Sequence, residues 1–246
     1  MSSERLDLAL VSRGFVESRS RARQLVEAGD VMVDGVTVTK AAAKVSPEQI
    51  LTLAETAHRW ASRAALKLVR ALDLFAIDPA GEICLDIGAS TGGFTDVLLD
   101  RGARRVHAVD VGHGQLIPRL RDDSRVVVYE HLNVRDLTPE MIGEPVGLIV
   151  SDVSFISLKL ALPAALACAG DGAVLVALVK PQFEVGRAKV GRGGIVRDER
   201  TRRDALEEIS GWLEQSAGWQ VCGATDSPIS GTDGNQEYLI AARKPC

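Results

Sequence analysis

This chain of 246 residues lacks the sequence signals of a membrane span, of secretion and of a structural metal site. No apolar run is long enough to span a bilayer, and the residues after Met1 form no signal-peptide core. We therefore expect a cytoplasmic protein that does not act on membranes. The four cysteines are scattered without a Cys-x-x-Cys pair, which favours neither a disulfide framework nor a zinc site, and we expect no metal.

The sequence also lacks the signatures of two large nucleotide-binding classes. The glycine-rich stretch over residues 86–93 has neither the Gly-x-Gly-x-x-Gly spacing of dinucleotide oxidoreductases nor the Gly-Lys-Ser/Thr of a phosphate loop. An acid, Asp86, instead stands just before the first glycine. That arrangement suits a cofactor with a positively charged amino acid end and no phosphate, which describes S-adenosylmethionine. The simpler alternative is that Asp86 only caps the following helix.

What is present is typical of a folded globular protein, with 46% hydrophobic and 25% charged residues. The length accommodates one large domain and a small one. The net charge of −4 is unevenly distributed, because residues 1–70 hold 11 Lys and Arg against 8 Asp and Glu, and the remainder holds 18 against 25. Since local charged patches set the electrostatic field, the basic N-terminal part, residues 1–70, can still bind phosphates.

The sequence pattern predicts that residues 1–55 form a small separate domain. Apolar residues at helical spacing predict a helix over Arg5–Val11 and a second one that begins after Ser18 and ends at Gly29. An Asp-Gly turn predicts a hairpin over residues 31–38.

This order of elements resembles the S4 domain, a small RNA-binding module named after a ribosomal protein. The resemblance implies recognition of structured RNA by shape and phosphate contacts. Arg5, Arg19, Arg21 and Arg23 are then candidate RNA contacts. A solvated helix face is the simpler interpretation of the three arginines on the second helix.

A polar linker over residues 56–62 leads into a helix predicted over Ser62 to Phe75 and into a second domain over residues 63–246. Arg63, Lys67 and Arg70 lie opposite the apolar face of this helix. They form either a solvated basic face or a stripe that follows an RNA backbone, with Lys67 reaching into the active site.

From Ile83 onward, alternating strands and helices predict an α/β fold. We expect a mostly parallel seven-stranded sheet with helices on both faces. The segment over residues 181–197 is glycine-rich, basic and irregular, and such long loops are often functional. Strands are predicted over 83–87, 105–110, 125–129, 146–151, 173–179, 219–224 and 236–242, and helices over 93–101, 158–169 and 198–216.

Polar residues stand where several predicted strands end. Asp110 ends the second strand, a position from which a carboxylate accepts hydrogen bonds from ribose hydroxyls. Only glycine lets the backbone of the first turn approach a ligand closely. The residues assigned to the cofactor are Asp86, Gly88, Ala89, Ser90, Gly92, Gly93, Phe94, Asp110, Asn133 and Asp152.

Asp152 ends the fourth strand, Lys180 ends the fifth, and Glu237 begins the last. If the last strand is antiparallel, its first residue lies at the same sheet edge as the other two, where open α/β sheets bind ligands. A lysine at the end of an apolar strand is a candidate base, because burial or a neighbouring cation favours the neutral amine.

Three motifs make a family resemblance close. The runs over residues 86–96, 152–158 and 180–184 look like those of the haemolysin-A-type (TlyA) ribosomal RNA methyltransferases, which join an S4 domain to an FtsJ-like methyltransferase domain. One departure is Arg63-Ala64-Ala65, where relatives often read Arg-Gly-Gly or Arg-Gly-Ala.

The resemblance implies a Rossmann-like methyltransferase fold, a mostly parallel seven-stranded sheet whose last strand is antiparallel. It implies an enzyme that uses S-adenosylmethionine to methylate the 2′-hydroxyl of cytidine in ribosomal RNA, with ribosomal RNA or ribosomal subunits as partner. It also implies a catalytic tetrad of Lys67, Asp152, Lys180 and Glu237. One alternative is a catalytically silent RNA-binding or ribosome-assembly factor. A haemolysin that acts on membranes is less favoured, because no amphipathic or apolar insertion segment is present.

Overall fold

The computed structural model describes residues 3–16, 18–53, 60–186, 189–231 and 233–245, without the side chains of Arg21 and Ala28. The contacts divide the chain into two compact units, Met1–Arg63 and Ala64–Cys246. Residues 56–59, the larger part of the predicted linker, lie outside the described residues.

The first unit is a small α+β module. The predicted helices and hairpin are present, and the hairpin turns through Asp34 and Gly35, both with positive φ. Gly29, with φ +79°, ends the second helix as predicted. Its elements are β1 (Glu4–Arg5), α1 (Leu6–Ser12), α2 (Arg19–Ala28), β2 (Val31–Val33), β3 (Val36–Thr37), β4 (Lys44–Val45) and β5 (Leu51–Leu53).

Two further pairings close this module. Strand β5 pairs with β2 on the side opposite β3, and β1 pairs with β4. Apolar residues from both helices and from β2 and β5 form one buried core, which includes Leu6, Leu10, Leu25, Val26 and Val31. The helical spacing of these leucines in the sequence reflects that single packed face.

The second unit is a seven-stranded sheet with helices packed on it. Its strands are β6 (Ile83–Ile87), β7 (Arg105–Val109), β8 (Val126–Tyr129), β9 (Val146–Ser151), β10 (Ala169–Val179), β11 (Gln220–Asp226) and β12 (Tyr238–Arg243). Its helices are α3 (Ala65–Leu74), α4 (Gly93–Asp100), α5 (Pro118–Arg121), α6 (Pro139–Ile142), α7 (Leu158–Ala167), α8 (Pro181–Glu184) and α9 (Glu199–Gln215), with a 3₁₀ turn at Val134–Asp136.

The sheet order is β11-β12-β10-β9-β6-β7-β8, and β12 runs antiparallel to both of its neighbours. This arrangement confirms the predicted Rossmann-like methyltransferase fold. Strand β10 begins earlier than predicted, at Ala169, and its pairing with β9 shifts register before Val174. The sequence over 170–172, Gly-Asp-Gly, has low strand propensity, which explains why the strand signal starts only after it.

Buried strand residues and helix caps explain the local structure. All five residues of β6 are buried, as expected for a central strand covered on both faces. The Asp198 carboxylate accepts a hydrogen bond from the Thr201 amide and caps α9, and the Ser157 hydroxyl caps α7. Among the described residues, no helix combines the length and apolarity that a membrane span requires.

The register of the sheet brings several strand ends to one edge. Ile87 pairs with Val109 and with Ser151, and Val179 pairs with Tyr238. The residues that directly follow β6, β7, β9 and β10, and the residue that precedes β12, therefore lie along the same edge. These residues are Gly88, Asp110, Asp152, Lys180 and Glu237.

Candidate active site

Four charged side chains meet at this edge of the sheet. Lys67 Nζ donates to Glu237 Oε2 at 2.6 Å and lies 3.9 Å from Asp152 Oδ2. Lys180 Nζ lies 2.6 Å from Asp152 Oδ1. The structure thus places the four predicted tetrad residues in one chain of ion pairs, although Lys67 and Glu237 are 170 positions apart in the sequence.

The four side chains are largely removed from water. Lys67, Lys180 and Glu237 are 6%, 7% and 2% exposed, and two ammonium groups balance two carboxylates. Burial alone raises the pKa of Asp152, but the ammonium groups of Lys67 and Lys180 outweigh it and hold that pKa below its ordinary value. Asp152 is therefore an anion that joins the two lysines.

Lys180 has a second partner that the sequence did not reveal. Its Nζ donates to Ser154 Oγ at 2.8 Å. An ammonium group has three N–H donors. Asp152 and Ser154 therefore fix the direction of the Lys180 side chain while one donor position remains for a substrate group.

Lys67 departs from one predicted arrangement. The helical wheel allowed either a solvated basic face with Arg63 and Arg70 or a course of Lys67 into the active site; Lys67 is buried, which excludes the first, and Arg63 precedes α3. Arg70 is exposed, as the wheel predicted. The difference arises because the partners of Lys67 are the residue that follows β9 and the residue that precedes β12, which a single-helix projection does not include.

The glycine-rich turn is tightly packed against the protein itself. Gly88 has φ +82°, and a Cβ atom there would lie 2.8 Å from the backbone oxygen of Asp152. Gly92 has φ +99°, and a Cβ atom there would overlap the side chains of Leu116 and Leu120. Glycine at position 88 is therefore required by the close passage of the Asp152 backbone and cannot be attributed to a ligand alone.

Asp86 lies beneath this turn. It is completely buried, its Oδ2 accepts a hydrogen bond from the Thr95 hydroxyl at 2.6 Å, and its Oδ1 has no partner among the described residues. Burial raises the pKa of Asp86 to about 7. A buried carboxylate oxygen without a donor costs free energy, so this atom fits the positively charged amino group expected of the cofactor.

A narrow cavity of about 10 Å³ lies beside the turn, between the ends of β6, β7 and β8. The Asp110 carboxylate accepts from the Ser90 amide at 2.8 Å and from the Gly112 amide at 2.6 Å, which holds it at the pocket wall. Ser90 has φ +47°, a left-handed backbone conformation that is unfavourable for serine and often marks ligand sites. The pocket is lined by Ala89, Ser90, Ala108, Asp110, Gly112, Gln115, Leu116, Val128 and Glu130.

Sequence reasoning missed Gln115 and Glu130 in this wall. Glu130 follows β8 just as Asp110 follows β7, so the same strand-end argument would have found it. Its carboxylate accepts from the Gly114 amide at 2.8 Å and also pairs with Arg121.

Three more residues that the sequence assigned to the cofactor, Gly93, Phe94 and Asn133, do not line this cavity. Gly93 begins α4 and the side chain of Phe94 is buried behind it. The Asn133 side chain accepts from the amide and Nε of Arg135, both at 3.1 Å, and so caps the 3₁₀ turn. Its contact with the cofactor stays a prediction.

An aromatic pair of exposed Phe155 and half-buried Phe183 follows two of the tetrad residues in the sequence. Phe155 is 91% exposed with φ +66°, and its ring centroid is 5.2 Å from that of Phe183. Phe155 follows Asp152 by three residues, and Phe183 follows Lys180 by three. A large exposed aromatic side chain in a strained backbone conformation is unfavourable for the isolated fold, which points to a ligand.

In the first unit, two predicted RNA-binding arginines share one buried acid. Arg5 Nε and Arg19 Nε each lie 2.9 Å from the Asp7 carboxylate, and the Arg19 side chain is still 53% exposed. Arg23 pairs with Glu27 across one helical turn at 3.7 Å. The side chain of Arg21 lies outside the described residues, and Arg63 is half-buried.

Comparison with known proteins agrees with this architecture. The model of the FtsJ-like methyltransferase family matches residues 60–244, and the S4 domain model matches residues 4–51. A Mycobacterium tuberculosis protein, 16S/23S rRNA (cytidine-2′-O)-methyltransferase TlyA, is 51% identical over 97% of this chain and 89% of its own length. Hemolysin A of Brachyspira hyodysenteriae is 44% identical over 96% of this chain and 98% of its own length.

Solved structures give the same result. A protein from Streptococcus thermophilus that is named as a hemolysin superposes on the whole of this chain and 90% of its own, with a TM-score of 0.78 and 41% identity. The fold, the two matched domains and the identity over nearly the full length agree. The chain therefore belongs to the FtsJ-like methyltransferase family and, within it, to the TlyA group that carries an S4 domain.

Proposed function

We propose that this protein transfers a methyl group from S-adenosylmethionine to the 2′-hydroxyl of cytidine in ribosomal RNA. The observation that carries the proposal is the buried chain of Lys67, Glu237, Asp152 and Lys180 beside the pocket at Asp110. The relative from M. tuberculosis with 51% identity is named for this reaction on 16S and 23S ribosomal RNA. We expect ribosomal RNA within ribosomal subunits as substrate and the cytoplasm as location.

The ribose hydroxyl is a poor nucleophile, so the site must hold it in line with the methyl group and accept its proton. Lys180 would accept that proton as a neutral amine, after losing one of its own protons, and Asp152 and Ser154 fix this amine at the strand end while one position stays open. Asp152 orients Lys180 and stabilises positive charge on it after proton transfer. Lys67, held by Glu237, places a second cation where it binds the ribose or its phosphate.

S-adenosylmethionine supplies an electrophilic methyl group on a sulfonium, and its thioether leaves uncharged. Within this chain, the free oxygen of Asp86 would accept from the amino group of the cofactor. The carboxylates of Asp110 and Glu130 would accept from its ribose hydroxyls, since a carboxylate oxygen that holds one amide retains a lone pair.

The target base needs a surface once its nucleotide enters the site. Phe155 offers an exposed ring, packed against half-buried Phe183, and stacking of one base on an aromatic ring contributes roughly 1–3 kcal/mol. We assign this pair to the base of the target nucleotide. The S4 unit, with Arg5, Arg19 and Arg23, would supply sequence-independent phosphate contacts.

Methylation mapping tests the function directly. Ribosomal RNA from cells with and without the gene should differ at one or more cytidines whose 2′-O-methylation is present only with the gene. Purified protein should restore the mark on subunits from the deletion strain when S-adenosylmethionine is added. If the protein binds S-adenosylmethionine but no ribose is methylated in either experiment, the silent assembly factor becomes the better interpretation.

The affinity for S-adenosylmethionine should rise as the pH increases through about 7. The reason is that Asp86, with a pKa of about 7 in the free protein, must lose its proton to receive a cationic amino group. Calorimetry in buffers of different ionisation enthalpy should detect release of a proton on binding near neutral pH. Asp86→Asn should bind more weakly and without this pH dependence, and an unchanged pH profile in that variant would assign the effect to another group.

The S4 unit should contribute phosphate contacts to RNA binding. A fragment that begins at Ala64 should bind S-adenosylmethionine like the full chain but lose most of its affinity for ribosomal RNA. A plot of log affinity against log salt concentration should be steeper for the full chain, because each phosphate contact releases counterions. Equal slopes for the two proteins would contradict an RNA-binding role for residues 1–63.

A further inference from the structure

A basic loop between α8 and α9 has no role in the chemistry described above. Residues 189–197, here called the 189–197 loop, carry Lys189, Arg192 and Arg197, and these three residues are exposed. Gly193 and Gly194 both have positive φ, at +82° and +80°, so the tip follows a path that only glycine adopts readily. The loop closes on itself through the Gly191 amide, which donates to the Ile195 carbonyl at 3.0 Å.

One buried side chain fixes this otherwise exposed loop. Asn235 is 1% exposed, its Oδ1 accepts from the Val196 amide at 2.9 Å, and its Nδ2 donates to the Gly194 carbonyl at 2.9 Å. The same Nδ2 donates to Asp233 at 2.8 Å. A loop anchored in this way loses little conformational entropy when it binds a partner.

The anchor also places the loop beside the tetrad. Asn235 stands two residues before Glu237 in the sequence, and a Cβ atom on Gly231 would lie 2.7 Å from the Glu237 carboxylate. Gln182, two residues after Lys180, donates to Asp233 at 3.3 Å. The segment that holds the 189–197 loop therefore contacts residues next to both Lys180 and Glu237.

The basic side chains of the loop differ from many others in the second unit because they have no acidic partner among the described residues. Many arginines and lysines of the second unit have an acidic partner within 4 Å, as in the pairs Arg101–Asp73, Arg104–Glu144, Arg119–Asp96, Arg121–Glu130, Arg125–Asp123, Lys159–Glu208 and Arg203–Glu199. Within the part of the chain that the structure describes, no ion pair involves Lys189, Arg192 or Arg197. These cations keep their full field for an external anion.

We propose that the 189–197 loop is an RNA-binding surface, on which Arg192 and Arg197 hold backbone phosphates next to the target nucleotide. The inference rests on the proposed function, because it takes ribosomal RNA as the substrate. The planar guanidinium group matches a phosphate with two parallel hydrogen bonds. An RNA backbone fits better than a protein surface, since Val196 is buried and the tip offers glycines and cations rather than an apolar anchor.

The test compares Arg192→Ala, Arg197→Ala and the double variant with Arg104→Ala in the full chain. Arg104 is a matched control, because its loss changes the net charge equally but it is paired with Glu144 next to the amino end of β7. Binding to purified small and large ribosomal subunits is measured at several salt concentrations, together with the affinity for S-adenosylmethionine.

Each single loop variant should reduce the slope of log affinity against log salt by about one, and the double variant by about two. The control should match the wild type, and all variants should bind S-adenosylmethionine normally. Loop variants that keep the wild-type slope, or a control that loses as much, would overturn the role of the loop. Failure of the wild-type protein to bind or methylate ribosomal subunits would instead overturn the proposed function, and the loop would lose its partner with it.

Discussion

Replacing Lys180 by alanine should lower the rate of methyl transfer by on the order of a hundredfold or more, the usual effect of removing a positioned general base. Lys180 Nζ is held by Asp152 at 2.6 Å and by Ser154 at 2.8 Å, so its loss removes the amine at the point where these strand ends meet. The measurement is single-turnover methylation of ribosomal subunits with saturating S-adenosylmethionine. Affinities for cofactor and RNA should change far less, because the interaction acts chiefly in the transition state.

Two further variants make the result specific. Lys180→Arg should remain inactive if Lys180 removes the proton, since a guanidinium group stays protonated. Lys244→Ala is a matched control, because Lys244 Nζ donates to the Ala169 carbonyl at the far end of β10. A near-wild-type rate for Lys180→Arg would contradict the role of base and leave an electrostatic role for this residue.

Most of the tetrad could be predicted from sequence because the arrangement follows from sheet geometry. Asp152 and Lys180 directly follow buried strands, and the register of parallel neighbours places their positions side by side. Glu237 joins them because β12 is antiparallel to β10, so that its first residues lie at the carboxyl end of β10. The alternating pattern gives the strand ends, whereas the antiparallel direction of the last strand was a condition of the prediction and the tetrad itself was implied by the family resemblance.

Other parts of the site depend on contacts that no local pattern encodes. The burial of Lys67 follows from Glu237 and Asp152, which are distant in sequence, while the pattern of its own helix left open both a solvated face and a course into the active site. The exposure of Phe155 contradicts its hydrophobicity, so a sequence pattern would place it in the core. The anchoring of the 189–197 loop by Asn235 joins residues about forty positions apart through side-chain hydrogen bonds alone.

Replacing Asp152 by asparagine should affect both the reaction and the stability of the fold. The substitution leaves the Lys180 ammonium without its anion, while Lys67 keeps Glu237, so the buried cluster carries one uncompensated positive charge. Breaking a buried ion pair from one side typically costs about 3–5 kcal/mol, and losing a preorganised electrostatic partner lowers rates by roughly a hundred- to a thousandfold. We expect both losses at neutral pH. Asp73→Asn, which breaks an exposed pair with Arg101, should cost less than about 1 kcal/mol and leave the rate unchanged.

The pH dependence of stability separates an ionic role of Asp152 from simple packing. The pKa of Asp152 is lower in the folded than in the unfolded protein, so its carboxylate stabilises the fold fully at pH values above the unfolded pKa of about 4. That contribution is lost as the pH falls through the lower, folded pKa. Urea unfolding of the wild type and of Asp152→Asn should therefore show a stability difference that is largest at neutral pH and shrinks below about pH 4. A difference that stays constant over this range would mean that asparagine disturbs packing, and that the charge of Asp152 does not hold the two lysines in place.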